Sequence, residues 1–408
     1  MGNAVRDYAW GSTEQLPQFL GHAPTGRPQA ELWIGAHDGN PSSLPDGQLL
    51  NEVIAGEPEV HLGRRTAERF EGRLPFLMKV LAVGEPLSLQ VHPSSERARL
   101  GFRREDESGL PLDAGHRNYK DRWHKPELIF ALTRFEGLAG FRDVDRTVEI
   151  LGLLHLPWAE QLAARLQDGA ADERLREVVT ETLALQGRPL SRLLGQVGDA
   201  ARHAGARARR DLLRHYTKRS DAHNRVGAEA VRVFTRLGDL ARRHPKDPGV
   251  LVTLLLNNVT LAPGEAMFVN AGIVHAYVEG FGVEIMASSD SVLRAGLTPK
   301  HMDVAELLAV TDFRPSAPPR WAPAERAADF VHLEPPVAEF CLTVGRPPLR
   351  RLPATGPRAV LVLDGEVEVV SRSERIEVRR GQSVFISHSD GPVNVVGEGR
   401  VAVGSVPL

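Results

Sequence analysis

Between Asp145 and Arg243 the chain reads as helix, and on both sides it reads as strand, so any fold must place a helical block between two stretches of one sheet system. Within the block, Leu175, Val178, Val179 and Leu183 recur at spacings of three and four, as do Val226, Ala230, Phe234, Leu237 and Ala241, with Arg, Asp and Glu between them. Gln186-Gly187-Arg188-Pro189 interrupts the pattern, and His244-Pro245-Lys246-Asp247-Pro248-Gly249 ends it, because two prolines and a glycine do not continue a helix. The arginines here alternate with carboxylates, which makes a solvated helix face the expected reading.

The flanks have a different texture. Residues 1–60 are short apolar pieces broken by Gly, Pro and Asn, which favours strands and loops. Leu74 to Val83 and Leu87 to His92 read as two strands joined at Gly84-Glu85-Pro86, residues 94–123 as a long surface loop, and Leu128 to Thr133 as strand. After the block come predicted strands at Val250 to Asn257, Ala266 to Asn270, His275 to Val278 and Val283 to Ala287, then a helix at 300–311 and a proline-marked linker at Pro315, Pro318, Pro319 and Pro323. The tail from 328 to 408 is strand and turn, which reads as a second, smaller jelly roll.

At 408 residues two or three domains are expected, and the net charge of -2 gives no bulk electrostatic reason to bind nucleic acid or anionic membranes. The single cysteine, Cys341, has no intrachain partner and sits between Phe340 and Leu342, as a buried strand thiol in a reducing cytoplasm would. No apolar run is long enough to span a bilayer, and Met1 to Trp10 carry no apolar leader segment. A cytoplasmic, monomeric protein that binds neither membrane nor nucleic acid is therefore expected.

The chemistry-bearing stretch is Leu87-Ser88-Leu89-Gln90-Val91-His92-Pro93, where alternation puts Ser88, Gln90 and His92 on one face and the apolar residues on the other. His92, Glu127 and His275 offer two imidazoles and a carboxylate, a set that suits zinc, and Gln90 could add a carbonyl oxygen. Each also has an ordinary reading: a hydrogen-bonded Gln-x-His pair, a solvated carboxylate after Pro126, a histidine after a turn. Lys125 shares a face with Glu127 on an extended segment. Arg294 and Lys300 could hold a phosphate by charge-assisted hydrogen bonds, or form a surface network with Asp290 and Asp303.

Taken in order, Tyr8-Ala9-Trp10-Gly11, Glu31-Leu32-Trp33-Ile34-Gly35, Pro86 to Pro93, His124-Lys125-Pro126-Glu127, the Pro263-Gly264-Glu265 to Tyr277 segment and Arg294-Ala295-Gly296-Leu297-Thr298-Pro299-Lys300 resemble the type I mannose-6-phosphate isomerase family. The chain departs from the family pattern after His37, where Asp38 replaces the more usual proline. The resemblance implies a cupin-type fold with a helical domain, which with the pattern above gives a mainly β fold of cupin-type jelly-roll β-barrels with an all-α insert: a catalytic cupin in residues 1–144 and 250–314, the helical insert at 145–249, and a C-terminal cupin-like jelly roll at 320–408, which has no second Gln-x-His or His-x-His and is expected to bind no metal. It also implies one Zn2+ held by Gln90, His92, Glu127 and His275, and interconversion of mannose 6-phosphate and fructose 6-phosphate through a cis-enediol.

On that reading a small sugar phosphate is the partner. Ser88, Trp10, Tyr277, Arg294 and Lys300 are substrate contacts, and the catalytic candidates are Lys125, Glu284, Asp290 and Arg294, with His37 and Tyr277 as further acid/base options. Glu284 could equally form a structural ion pair with Arg294. The rivals are a non-catalytic cupin sensor for a sugar phosphate or metal, and a metal-dependent oxygenase. The five polar groups at 125, 284, 290, 294 and 300 argue against the first. The absence of a His-x-Asp/Glu facial set argues against the second.

Overall fold

The computed structural model describes residues 1–215, 221–349 and 352–407. The chain forms two sheets and a set of helices. The larger sheet contains β1 (Ala4–Arg6), β2 (Glu31–Gly35), β3 (Phe76–Val83), β4 (Leu89–Val91), β5 (Glu127–Ala131), β6 (Phe135–Phe141), β7 (Leu256–Leu261), β8 (Ala266–Val269), β9 (His275–Ala287), β10 (Leu293–Gly296) and β11 (Arg320–Trp321). Its order is β1-β2-β3-β9-β5-β8-β11, with β4 pairing β9 and β10, and β6 pairing β9 and β7.

Strand β9 is the hub of this arrangement, because its C-terminal half pairs with β3 and β5 while its N-terminal half pairs with β4 and β6. The sequence reads it as two short strands split at Glu279-Gly280-Phe281-Gly282, whereas it is one strand of 13 residues. The glycines there serve close approach: a Cβ on Gly280, whose φ is +139°, would lie 2.8 Å from Phe135 Cα, and one on Gly282 would lie 2.8 Å from Phe130 O.

Along β9 the pairing with β6 steps from Glu136 opposite Glu279 to Gly137 opposite Tyr277, so one extra β9 residue is accommodated. That bulge changes which parity faces which side. Ala276 and Val278 pack toward the helices, while Phe281, Val283 and Ile285 pack toward the second sheet. His275 and Tyr277 before the bulge, and Glu284 after it, consequently face one common space.

The seven-stranded second sheet runs from Glu325–Arg326 to Asn394–Ser405 and covers the back of the first. Leu333, Phe340, Leu342, Ala359, Leu361 and Ala402 share one apolar core with Phe76, Met78, Val80, Leu128, Phe130 and Ile285. On the other flank, helices Val144–Gly152, Pro157–Leu166, Ala171–Ala184, Gly187–His215 and Asp221–Arg243 share a core with Leu89, Val91, Ala276 and Leu293. The helical block expected at 145–249 includes residues 216–220, which lie outside the described residues.

The expected fold class, mainly β with cupin-type jelly-roll barrels, is corrected by this topology. The fold is mixed α/β with helix and strand in comparable amount, and among the described residues neither sheet closes into a barrel. One reason is the helices Gln15–Phe19, Leu50–Gly56 and Ser95–Glu107, in stretches that read as strand or loop, with Pro58–Leu62 and Arg64–Arg69 beside them. Several are too short to show a period, and the helix at 95–107 has a predominantly charged surface with only Ala98, Gly101 and Glu105 buried. Another is that β3 and β4 are not a hairpin, since the turn at 84–86 carries the chain from one partner of β9 to another. Gly249–Val252 is helical rather than strand, and Cys341 is buried in a strand as expected.

Candidate metal centre and cleft

Strand β4 sets the first part of the site. Gln90 lies opposite both His275 and Arg294 in register, and His92 follows one residue after the strand ends. Glu127 opens β5 opposite Met286, and His275 opens β9. His92, Glu127 and His275 are buried, and their ligand atoms all lie within 4.8 Å of one another.

The hydrogen bonds decide what these atoms can do. His92 Nδ1 lies 3.2 Å from Ser291 O, and His275 Nδ1 lies 3.0 Å from Ile273 O. A carbonyl oxygen only accepts, so both histidines carry their proton on Nδ1 and turn a bare Nε2 inward. Those Nε2 atoms sit 3.1 and 3.3 Å from the two oxygens of Glu127. The distances are those of ion pairs, but His92 Nε2, His275 Nε2 and Glu127 Oε2 have no hydrogen-bond partner. Three buried electron-rich atoms facing one another repel unless a cation lies between them, and two imidazoles with a carboxylate fit Zn2+.

Protonation agrees with that use. Burial pushes the His92 imidazole down to about 4, so it is neutral near pH 7. Burial opposes ionisation of Glu127, but the Lys125 ammonium outweighs it and holds the carboxyl well below its ordinary range. The Lys125 ammonium lies 2.9 Å from Glu127 Oε1.

Above this centre opens a cleft of about 440 Å3 that brings together Trp10, Ser88, Gln90, Lys125, Glu127, Tyr277, Glu284, Arg294 and Lys300. Trp10 stacks on Tyr8 with ring centroids 5.8 Å apart. Burial, then the charges of Glu284 and Glu127, keep the Tyr277 phenol well above its ordinary range. Among the described residues neither Arg294 nor Lys300 forms an ion pair with Asp290 or Asp303. Asp290 pairs instead with His37, 3.4 Å away, and Asp303 caps the helix Val304–Val310. Burial lowers both cations, and Arg294 lowers Lys300 further. Two cations of like sign without a carboxylate between them favour an anion.

Asp290 and His37 are not in this cleft but line the neighbouring pocket with Asp38, Arg73 and Asp121. The sequence reading missed Lys79 and Glu31. Lys79 is buried on β3 directly opposite Glu284, its Nζ 3.2 Å from Glu284 Oε2 and 3.9 Å from Glu31 Oε1. Glu31 Oε2 in turn accepts from Trp33 Nε1 at 2.6 Å. Burial works against the Lys79 charge, but Glu31, Glu284 and Glu127 overcome it and raise its pKa. Burial dominates at Glu284 and raises that carboxyl. The signal for Lys79 was available: it is the one charged residue in the otherwise apolar Phe76-Leu77-Met78-Lys79-Val80-Leu81-Ala82-Val83.

Comparison with known proteins bears on the same residues. Residues 1–144 match the family described as phosphomannose isomerase type I, catalytic domain, and residues 358–406 match that described as mannose-6-phosphate isomerase, cupin domain. Mannose-6-phosphate isomerase of Escherichia coli K12 is 35% identical over 98% of this chain and 97% of its own length. The enzyme of that name from Cryptococcus neoformans is 32% identical over 94% of this chain and 92% of its own. A crystal structure of mannose 6-phosphate isomerase with zinc and yttrium superposes with a TM-score of 0.85 at 34% identity, covering 100% of this chain and 98% of the other.

Proposed function

The chain belongs to the type I phosphomannose isomerase family, and from that premise we propose how its cleft works. It is a zinc-dependent enzyme that interconverts mannose 6-phosphate and fructose 6-phosphate, with one Zn2+ per chain. The observation that carries this is the buried triad of His92, Glu127 and His275 below two unneutralised cations in one cleft.

In our reading, Gln90 completes the ligand set through its side-chain oxygen, and Arg294 and Lys300 hold the substrate phosphate at the outer end. Trp10, Ser88 and Tyr277 line the sugar's path between the two. Zn2+ in the triad supplies Lewis-acid stabilisation of the negative charge that develops on the substrate oxygens. The isomerisation moves a proton between neighbouring carbons and another between their oxygens, through a cis-enediol.

We assign the carbon-bound proton to Glu284. Its Oε2 is engaged by Lys79, which leaves Oε1 to accept, and burial makes its carboxyl a better base than a solvated one. Lys125 Nζ is assigned the proton between the oxygens. Asp290, paired with His37 in the adjoining pocket, is assigned a supporting role at the rim. Residues 1–144 and 250–314 carry the chemistry, 145–249 support β4 and β10, and 320–408 hold no metal of their own. The protein acts in the cytoplasm as a monomer; among the described residues no helix is long and apolar enough to cross a membrane.

The test is a coupled assay of fructose 6-phosphate formation. Chelation should abolish activity and added zinc restore it. Full activity in metal-free protein, or none after zinc is restored, would refute the assignment.

A further inference from the structure

The His92 ring is aimed by the carbonyl of Ser291, and the turn that presents this carbonyl is built on one side chain, Asp121, outside the cleft. Asp121 Oδ2 accepts from Asp290 N at 2.7 Å. Its Oδ1 accepts from Ser289 Oγ and from Trp123 N, both at 2.8 Å. Its main-chain oxygen accepts from Ser291 Oγ at 3.0 Å, and Ser291 N donates to Ser289 Oγ at 3.2 Å. Ser289 and Ser291 are buried, so no water substitutes easily for these contacts.

We propose that Asp121 is a positioning residue for the metal centre: its carboxylate clamps the 289–291 turn, and the turn's last carbonyl fixes the tautomer and direction of His92. Asp121 also stands at the head of the segment that runs through Trp123 to Lys125 and Glu127, so the same clamp ties the approach to one ligand to the orienting group of another. A group hydrogen-bonded directly to a ligating histidine is typically worth ~10–100-fold in metal affinity, and Asp121, one step behind such a group, falls at the low end of that range. The inference rests on the zinc reading given above.

The informative variant is Asp121→Asn, which preserves volume. Both carboxylate oxygens accept a backbone N–H, so whichever way the amide turns, its NH2 opposes one of them. Zinc affinity by competition with a chromophoric chelator should fall roughly tenfold. The visible absorption of the cobalt-substituted protein should shift as the His92 ligand reorients. Asp143→Ala removes the cap of the helix Val144–Gly152 and serves as the purely structural control: it should lower the melting temperature with zinc affinity and cobalt spectrum unchanged.

Asp121→Asn with wild-type zinc affinity and spectrum would overturn the proposal. So would an equal loss of affinity in the Asp143 control. Wild-type protein that binds no zinc at all would instead overturn the reading of the centre, and the two failures are thereby distinguished.

Discussion

At the level of single side chains, the cleft works by leaving charges unpaired in one place and over-pairing them in another. Lys300 and Arg294 face the cleft without a carboxylate partner among the described residues. Lys300→Ala should raise KM for mannose 6-phosphate by roughly tenfold, the lower end of a charge-assisted hydrogen bond because Lys300 is exposed, with kcat nearly unchanged in steady-state assays. Lys79 lies between Glu31 and Glu284 in a buried row. Lys79→Met removes the positive charge that counters burial of Glu284, so the Glu284 carboxyl moves further up. As the base of the reaction it would then stay protonated to higher pH. The acid limb of the kcat profile should shift upward, with kcat lost on the acid side of the shifted limb and recovered above it. An unmoved acid limb would take Glu284 out of the proton transfer.

Between elements, the connections that hold the site in place are polar as well as apolar. Glu306, on the helix Val304–Val310, accepts from Arg97 and Arg104 of the helix Ser95–Glu107 and from the Tyr119 hydroxyl. Burial opposes its charge, but those hydrogen bonds hold the carboxyl down to about 2 against an ordinary value of 4.5. A depressed carboxyl contributes stability that is fully present above its unfolded pKa and is lost as the pH falls through the folded one. The difference in unfolding free energy between wild type and Glu306→Gln should therefore be constant near neutrality and close between about pH 4.5 and pH 2. Denaturant titrations at a series of pH values measure it; a gap that widens on acidification would be the wrong sign. Strand β10 and the turn after it, which bear Arg294 and Lys300, are tied to the helical block in a similar way. Asp247 accepts from Gly249 N and from Thr298 N at 2.8 and 3.0 Å. Gly249 and Gly296 approach so closely there that a Cβ on either would lie 2.5 Å from the other's Cα.

For the molecule as a whole, the second sheet lies behind the catalytic one, and the two share a core. Phe340 of the C-terminal lobe is fully buried in that core, and its neighbour Glu339 accepts from His124 at 2.8 Å, beside the Lys125–Glu127 segment. Phe340→Ala should cost about 3–5 kcal/mol and lower the melting of both sheets together, seen as one calorimetric transition in chelated protein. A catalytic sheet that keeps its own unshifted transition would contradict the shared core. Sequence alone determined which chemistry the chain carries, because ligand types, the alternation that puts Gln90 and His92 on one face, and the helical period between 145 and 243 are local properties of the residues. It could not reveal Lys79 and Glu284 as a pair, the short helices that overturn the barrel expectation, or the continuity of β9. The pair and the continuous strand depend on partners more than a hundred residues away, and the short helices span too few residues to show a period. Only the tertiary structure decided that His275 and Glu284, of opposite parity on one strand, face the same cleft, because a single extra residue opposite Glu136 and Gly137 reverses the pleat between them.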